Sequence, residues 1–397
     1  MNLSFLYKKI GKREISLPVI AWFSLALIAV LAELLHHSIN NYLIFKHVFW
    51  HVVHKENLYA DYAALYFDTN HYGPLFSYVI APFAILPDWL GVIFWVLFNA
   101  WFLYYAIKKL PVSDRAVQTI LLISVVEFMT SCHNVQFNPM LTAWIILSYT
   151  LVKKENDFWA NFFIVAGLLV KLYGIVGILF FVFSKHKIKF AGSFLFWLVV
   201  LFALPMIISS PAFIIQTYVD WFNSLTEKNL HNISLDYISM TDLSVMGMIR
   251  RIFKINNLSN LVVIVPAIVL LALPLLRFNL YKYKGYQLSY LALCLISVVI
   301  YSSGAESPTF VIAMVGIATW FVISNQASRL NIALLVFAIF LTSLSSTDLC
   351  PRFIRQSLIL PYALKALPSF IIWLLLIAKV GLAKEEAFKK LKTDVAA

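Results

Sequence analysis

Long apolar runs follow one another along the whole chain, and they constrain its fold more than any other feature. A helix needs about 20 mostly apolar residues to cross the hydrocarbon core of a bilayer, where every backbone polar group must be bonded within the protein. Such runs therefore predict a series of transmembrane helices, some of them short or broken. The runs lie at residues 17–36, 73–107, 116–131, 139–152, 158–184, 190–208, 260–276, 288–303, 308–324, 331–346 and 369–383.

The composition supports the same class. Hydrophobic residues make up 61% of the chain and charged residues only 13%, whereas a soluble domain is about half apolar and about one quarter charged. We predict an all-α fold, a polytopic transmembrane helical bundle of about 10–13 membrane segments. No boundary, repeat or low-complexity tract divides the chain, so residues 1–397 are expected to form a single integral membrane domain.

Two of the runs are too long for one straight crossing. The run at 158–184 has Lys171 at its middle and lysines at both flanks, which predicts a hairpin whose two ends face the cytoplasm. The run at 73–107 is interrupted by LPDW at residues 86–89, and we expect it to cross the membrane once in total.

If 158–184 is a hairpin and 73–107 crosses once, the positive-inside rule assigns each loop of the chain to one side of the membrane. Most of the 31 Lys and Arg residues fall on the cytoplasmic side, as do both termini, so the net charge of +12 reflects membrane topology and indicates no nucleic-acid partner. The run at 17–36 follows a basic stretch like that of a signal peptide. Its length and the lack of a small-residue cleavage site predict a retained first transmembrane helix.

The other polar groups concentrate on the opposite, extracytoplasmic face. Every histidine except His186 falls there, as do the first outer loop at 37–72 and a long outer segment at 209–258. Because the chain has no glycine-rich phosphate loop, a nucleotide-driven cytoplasmic enzyme is disfavoured. The three cysteines are widely spaced and odd in number, which indicates neither a disulfide framework nor a zinc site. Any chemistry is therefore expected outside.

The first outer loop begins with an amphipathic segment at residues 40–57. Its apolar residues recur at helical spacing, which predicts a helix lying in the membrane interface. His47, His51 and His54 lie on the opposite stripe. Histidines four apart can bind zinc, but the glutamate that a metalloprotease helix places between them is missing. Solvated imidazoles without a metal are the favoured interpretation.

The segment ADYAALYFDTNHYGP at residues 60–74 contributes Asp61, Asp68 and His71. A carboxylate here is suited to act as a general base on a sugar hydroxyl or to bind a cation. The alternative is a purely local role, because Asp and Asn side chains readily make their own turns.

Three ionisable residues lie inside predicted helices: Glu33, Glu127 and Lys171. A charge in the hydrocarbon core costs on the order of 3 kcal/mol or more, so such a residue usually faces a cavity or a partner. Glu33 and Glu127 lie towards the outer ends of their helices, where snorkelling to water is an alternative. Lys171 lies at the centre of its run, and it would suit a phosphate or pyrophosphate in an outward-facing cavity.

The segment HNVQFNP at residues 133–139 supplies Asn134, Gln136 and Asn138 between two predicted helices. Carboxamides both donate and accept hydrogen bonds, which suits the hydroxyls of a sugar; capping of the loop is the alternative. Outer arginines are candidates to clamp a lipid pyrophosphate bidentately or to bind lipid headgroups in general. These are Arg250, Arg251, Arg352 and Arg355.

In their order and spacing these segments resemble glycosyltransferase family 87. This family of polytopic GT-C glycosyltransferases includes the bacterial polyprenol-phosphate-mannose-dependent mannosyltransferases. The resemblance runs over much of residues 38–190: an amphipathic first outer loop ending in NLY, a Tyr-x-Pro-Leu helix start, an Asn/Gly-x-Gln-x-Asn segment and a glycine-rich helix with an embedded lysine. The corresponding stretches are YGPLFSYVIAPFAILP, NVQFNPMLTAWIILSYTL and GLLVKLYGIVGILFFVFSKHKIKF. ESPTF at residues 306–310, where the family often has a Ser-Pro loop, adds Glu306 to the expected substrate contacts.

The resemblance implies an inverting transfer of a mannose-like hexose from a polyprenyl-phosphate donor to an extracytoplasmic glycolipid or glycan. It implies an integral protein of the bacterial cytoplasmic membrane with its active site outside. In such enzymes an Asp of the first outer loop is the base, but the expected position holds Asn41. An amide cannot take a proton at neutral pH, so Asp68 is the first replacement, with Asp61 or Glu33 as alternatives.

The implied mechanism follows from charge. Asp68 takes the proton of the acceptor hydroxyl, while Lys171, with the outer arginines as further candidates, stabilises the phosphate that leaves with the lipid. Asn134, Gln136, Asn138 and His71 would orient sugar hydroxyls. No cofactor is implied, and a divalent metal is not strictly required.

Two other classes compete with the transferase. An O-antigen polymerase or ligase would use arginines of a large outer loop on lipid pyrophosphate; segment 209–258 fits that class, but the amphipathic helix fits it poorly. A lipid or solute transporter would show inverted repeats with broken helices in matching halves. The polar groups instead crowd one face, which favours the transferase.

Overall fold

The computed structural model describes residues 7–10, 13–234, 241–256 and 258–389. The outer segment predicted at 209–258 therefore lies partly outside the described residues. A short antiparallel hairpin, β1 Tyr7–Ile10 and β2 Arg13–Ser16, begins the described chain. All other regular elements of the described chain are helices, which confirms the predicted all-α class.

The helices follow in chain order. The α-helices are α1 Leu17–Leu35, α2 Asn40–His54, α3 Phe76–Ala84, α4 Asp88–Lys108, α5 Asp114–His133, α6 Asn138–Lys153, α7 Asp157–Val170, α8 Lys187–Ala203, α9 Pro211–Ile233, α10 Val245–Phe253, α11 Leu261–Ala272, α12 Lys284–Ile300, α13 Phe310–Ile323, α14 Arg329–Ala338, α15 Arg352–Ile354, α16 Leu367–Leu382 and α17 Glu386–Lys389. The 3-10 segments are Leu172–Phe183, Leu204–Ile207, Leu273–Leu276, Phe278–Leu280, Ser307–Thr309, Leu344–Ser346 and Leu364–Ala366, and the π-helical turns are Ile339–Ser343 and Arg355–Ile359.

Six helical stretches of the described chain are long and apolar enough to cross a membrane. Five further apolar helices are shorter, and short helices are tolerated where protein covers the backbone. The protein is therefore an integral membrane protein of the predicted polytopic helical class, while the number of crossings stays a prediction. The six are Leu17–Leu35, Asp88–Lys108, Asp114–His133, Lys187–Ile207, Arg329–Ser346 and Leu364–Leu382.

The chain folds into two compact units. Unit A comprises residues 23–109 and 131–228, and unit B comprises residues 1–22, 110–130 and 229–397. In unit A, helices α2, α3, α4, α6, α7 and α8 pack successively against one another. In unit B, α12, α13 and α16 form the core, and nearly every side chain of α12 and α13 is buried.

The run around Lys171 is a hairpin, as predicted. Helix α7 ends before Lys171, whose backbone is extended, and the 3-10 segment then returns along α7. Ser184 Oγ donates to Asp157 Oδ2 across the open end (2.8 Å). Near the tip the two arms touch backbone to backbone, because a Cβ on Gly174 would overlap the backbone of Gly167. The side of the membrane that the open end faces stays a prediction.

The interruption at LPDW is present where the sequence predicts it. Helix α3 ends at Ala84 and α4 begins at Asp88, directly after the extended backbone of Pro87. Since α3 has only 9 residues and α4 has 21, α4 alone is long enough to span.

The predicted interfacial helix is α2. Its buried face includes Tyr42, Phe45 and Val48. The expectation that its histidines are solvated is wrong for His51, which is 2% exposed and lies against the ring of Tyr62 with ring centroids 4.2 Å apart. Burial lowers the pKa of His51 to about 4, so this imidazole is neutral at pH 7.

Candidate active site

The loop at residues 66–73 is held in place by side chains of unit A. Asn40, the first residue of α2, donates from Nδ2 to the carbonyl of Phe67 (2.8 Å) and accepts at Oδ1 from the N–H of Phe67 (2.7 Å). Trp221 of α9 donates from Nε1 to the carbonyl of His71 (2.9 Å). The loop that carries the predicted acid is therefore ordered by side-chain bonds on two sides.

The tip of the Lys171 hairpin holds the same loop from a third side. The N–H of Gly73 donates to the carbonyl of Val170 (3.0 Å). A Cβ at position 73 would overlap the carbonyl oxygen of Leu169. Only glycine permits this close approach, which brings two segments about 100 residues apart in sequence into one site.

Asp68 presents its carboxylate from the pinned loop. Its backbone is left-handed, with φ 69°, a conformation that Asp tolerates better than most residues. Oδ1 accepts a hydrogen bond from the N–H of Thr69 (2.8 Å), and Oδ2 lies 3.8 Å from Nζ of Lys228. The side chain is 62% exposed. The turn made by Asp68 therefore uses only Oδ1, and the carboxylate as a whole stays accessible to solvent.

His71, in the same loop as Asp68, is a neutral imidazole at pH 7. Its Nδ1 is 3.2 Å from Ser224 Oγ, and its Nε2 is buried without a hydrogen-bond partner among the described residues. Burial lowers the pKa of His71 to about 4; Lys228 and Lys171 also lower it, whereas Asp68 opposes them. These electrostatic effects link the carboxylate and the two ammonium groups to one imidazole.

Lys171 occupies the hairpin tip among polar and aromatic groups. Its Nζ donates to Asn138 Oδ1 (2.8 Å) and lies 5.0 and 5.5 Å from the ring centroids of Tyr173 and Tyr72. The hydroxyl of Tyr72 in turn donates to Gln136 Oε1 (3.3 Å). Cation–π contacts of this kind stabilise an ammonium group away from bulk water. The tertiary structure thus brings the predicted lysine and two of the predicted amides together.

Glu33 is paired with a histidine of α5. Its Oε1 accepts a hydrogen bond from Nδ1 of His133 (2.9 Å), a partner that no sequence pattern indicates. Beside it Asn41 donates from Nδ2 to the carbonyl of Asn134 (2.8 Å). An ionised aspartate at position 41 could not make this bond, because it has no proton to donate.

Asp61 lacks the positioning contacts that Asp68 and Glu33 make. It is exposed, and its side chain makes no hydrogen bond or ion pair within the described part of the chain. Its charge contributes, after burial and Tyr62, to raising the pKa of Tyr66. Asp61 therefore has no partner among the described residues of unit A that would orient its carboxylate.

Two of the predicted phosphate-binding arginines are occupied within unit B. Arg250 is 1% exposed; it donates to Asp242 Oδ2 (2.6 Å) and also to the carbonyl of Leu258 and Oδ1 of Asn260. Burial raises the pKa of Asp242, and the charge of Arg250 acts in the opposite direction. Arg251, by contrast, donates to backbone carbonyls, those of Leu360 and Thr241 (both 2.7 Å).

The remaining predicted contacts also lie in unit B. Glu306 caps the 3-10 turn Ser307–Thr309 in a reciprocal capping box with Thr309. Arg352 is exposed and Arg355 is half-buried. Their expected role in binding substrate stays a prediction.

Glu127 lies in a buried polar cluster of unit B. It is fully buried, so the snorkelling alternative is wrong for this residue. Lys365 Nζ donates to Glu127 Oε1 (2.9 Å), to Ser307 Oγ (2.6 Å) and to Ser346 Oγ (2.6 Å). The three protons of the ammonium group are thereby satisfied. Nothing in the sequence near Glu127 indicates Lys365 as its partner.

The comparisons with known proteins bear on residues of both units. The sequence model of glycosyltransferase family 87 matches residues 70–303. The matched region contains His71, the amides at 134–138 and Lys171, and it begins just after Asp68. The comparison with curated proteins found no match. Because the family match covers more than half of the chain, the protein belongs to glycosyltransferase family 87.

Proposed function

We propose that the protein is an inverting hexosyltransferase that moves a mannose-like sugar from a polyprenyl-phosphate donor to a hydroxyl of an extracytoplasmic glycolipid or glycan. Membership of glycosyltransferase family 87 supports the reaction class over the polymerase, ligase and transporter alternatives. The observation that supports the proposed roles of Asp68 and Lys171 is the hydrogen bond from Gly73 to Val170, which joins the Asp68 loop to the tip of the Lys171 hairpin. This contact supports a site shared by the proposed base and the proposed cation.

Asp68 is the proposed base. Its carboxylate takes the proton of the acceptor hydroxyl while the hydroxyl oxygen attacks the anomeric carbon. The bond from that carbon to the phosphate oxygen breaks on the opposite face, and the configuration inverts. Asp68 is preferred to Glu33, whose Oε1 is bonded to His133, and to Asp61, which lacks a positioning contact within the described residues.

Lys171 is the proposed partner of the leaving phosphate. An ammonium group aimed at developing negative charge stabilises the transition state most where water is excluded, and Asn138 holds Lys171 in position. Gln136, Asn134 and His71 are proposed to orient sugar hydroxyls.

The candidate substrate-binding residues of unit B do not all have a role in this proposal. Arg250 and Arg251 are left out because they already bind oxygens within unit B. Glu306, Arg352 and Arg355 stay predicted substrate contacts without an assigned step.

The proposed location is the bacterial cytoplasmic membrane, with both termini in the cytoplasm and the active site on the outer side. The distribution of Lys and Arg along the chain supports this orientation. A polyprenyl-phosphate sugar is itself a membrane lipid, so donor, acceptor and enzyme would meet in the same bilayer.

The test is sugar transfer in lipid vesicles. Purified protein receives radiolabelled polyprenyl-phosphate sugars and a membrane glycolipid extract, and wild type is compared with Asp68→Asn. Loss of a general base typically costs about 10²- to 10⁴-fold in rate. We expect that loss for Asp68→Asn, because the amide keeps the oxygen that accepts from Thr69 but cannot take a proton.

Asp61→Asn is the matched control, since it removes the same charge from the same loop and should leave transfer near the wild-type rate. Transfer that survives Asp68→Asn but is lost in Glu33→Gln would move the base to Glu33. No transfer by wild type across the donor panel would refute the proposed donor class.

A further inference from the structure

Unit B contains a cleft of about 390 Å³ between the ends of α13, α14 and α16. Small-molecule sites in proteins commonly enclose roughly 300–1,000 Å³. Its lining is partly apolar, with Trp320, Leu330 and Leu375, and partly polar, with Ser324, Asn331 and Lys379. None of these residues takes part in the proposed sugar transfer.

Lys379 differs from three other cations at this end of unit B, which are paired. Arg277 donates to the carbonyls of Val380 (2.9 Å) and Ala383 (2.7 Å). Lys282 and Lys389 have Nζ 3.5 and 3.4 Å from Oε1 of Glu385 and are paired with it. Lys379 lines the cleft, is half-buried and makes no side-chain hydrogen bond or ion pair within the described residues.

An ammonium group partly removed from water and left unpaired is unfavourable, and an anion in the cleft would relieve that cost. The lining also includes the hydroxyl of Ser324 and the amide of Asn331, whose Nδ2 donates to the carbonyl of Asn325 (3.0 Å); both groups can make further polar contacts.

The rim of the cleft indicates an amphiphile rather than a free anion. Leu330 is 60% exposed and Leu375 is 41% exposed, and both belong to stretches long and apolar enough to span a membrane. An occupant that places its charge at Lys379 therefore meets apolar side chains along the same helices, where acyl chains pack.

The distribution of basic residues at this end of unit B indicates which class of lipid would bind. The positive-inside rule assigns Lys379, Arg277 and Lys384 to the cytoplasmic side, and basic pockets between transmembrane helices on that side bind anionic headgroups. We propose that the cleft binds the phosphate-bearing headgroup of an anionic membrane phospholipid, with Lys379 on the phosphate and Ser324 and Asn331 on the polar groups beside it. This site is independent of the proposed transfer reaction.

The test is equilibrium binding of radiolabelled phosphatidylglycerol to the purified full-length protein in neutral detergent. Lys379→Gln should weaken binding at least about tenfold. Lys384→Gln is the matched control, because Lys384 is exposed and does not line the cleft. General attraction of a lipid to a surface lysine is worth about 1 kcal/mol, so the control should lose no more than about fivefold.

Two competition experiments identify the kind of molecule that binds in the cleft. Phosphatidylcholine and inorganic phosphate should each fail to displace the bound phosphatidylglycerol at equal concentration. Displacement by inorganic phosphate would show a free-anion site, and displacement by phosphatidylcholine would show a site blind to headgroup charge; either overturns the proposal. Equal losses in Lys379→Gln and Lys384→Gln would also overturn it.

Leu330→Glu provides a second variant should Lys379→Gln fail to fold. It adds a negative charge to the exposed rim without removing a buried contact, so it should repel an anionic lipid and weaken binding by a similar factor. Unchanged binding in a folded Leu330→Glu protein would refute a phosphate at this rim. Thermal unfolding of each variant in detergent establishes that it is folded.

Discussion

At the residue scale, Asn41 occupies the position where the family resemblance expects the catalytic aspartate, and Asp68 is its proposed replacement. Asn41 donates to the carbonyl of Asn134, which an ionised carboxylate cannot do. Asp68 keeps an accessible carboxylate on an ordered loop. The sequence narrowed the base to a few acids in and beside one loop. It placed Asp68 before Asp61 and Glu33, but partners such as Lys228 and His133, which are distant in sequence, were not predictable from it.

His71 should make the free energy of unfolding depend on pH. Its pKa is lowered to about 4 by burial, and further by Lys228 and Lys171 against Asp68, whereas an unfolded histidine has a pKa near 6.5. Between these values the unfolded chain binds more protons. The contribution of neutral His71 is therefore complete above about pH 6.5 and is lost as the pH falls towards 4. His71→Gln, which cannot titrate, should lose less stability than wild type between pH 7 and pH 5.

Thermal unfolding in detergent at pH 7, 6 and 5 measures this difference, which should not exceed about 3 kcal/mol. His51, whose pKa burial also lowers to about 4, remains in the variant, so part of the pH dependence should persist. Identical pH profiles for the two proteins would contradict a buried neutral imidazole at position 71.

At the element scale, the Lys171 hairpin illustrates what length and charge can predict. A run too long for one crossing, with lysines at its centre and flanks, predicts both the turn and its tip. Length and charge could not predict which side chains contact Lys171 at the tip. The contacts of Lys171 with Asn138 and Tyr72 depend on how α7 packs on α6 and on the loop before α3.

Gly174→Ala should disrupt this hairpin. The new methyl group would overlap the backbone of Gly167, and backbone cannot move aside as a side chain can. Overpacking of this kind typically costs about 1–3 kcal/mol. Because Lys171 would shift with the tip, we also expect sugar transfer to fall by about tenfold or more.

Gly192→Ala, in α8, is the control, since a methyl group added at this position would have no heavy atom within 4 Å. Thermal unfolding and transfer assays on both variants measure the effect. A Gly174→Ala protein as stable as Gly192→Ala would mean that the two arms of the hairpin do not meet as closely as described.

At the scale of the whole molecule, composition decides the class and packing decides the polar pairings. An apolar fraction of 61% leaves no soluble alternative. Glu127 and Lys365 are 238 residues apart in sequence and meet inside unit B. Such a pair is stable only when both members are present, because either charge alone would be buried without compensation.

Lys365→Met should therefore destabilise the protein by about 3–5 kcal/mol, since it leaves a buried, uncompensated carboxylate. Adding Glu127→Leu should recover most of that loss, because the double variant buries no charge. Thermal unfolding of the purified proteins in detergent measures both. A double variant no more stable than Lys365→Met would indicate that the serines at 307 and 346, rather than the ion pair, hold this cluster together.

By itself the sequence determined the membrane class, the Lys171 hairpin, the break at LPDW and the family. Each of these depends on local periodicity, charge and length, which a single chain displays directly. Only the tertiary structure decided that His51 is buried, that Glu33 pairs with His133 and that Arg250 is enclosed by Asp242 and Asn260. The physical reason is that burial and pairing are properties of neighbours, and in a helical membrane bundle the neighbours of a polar side chain come from distant parts of the chain.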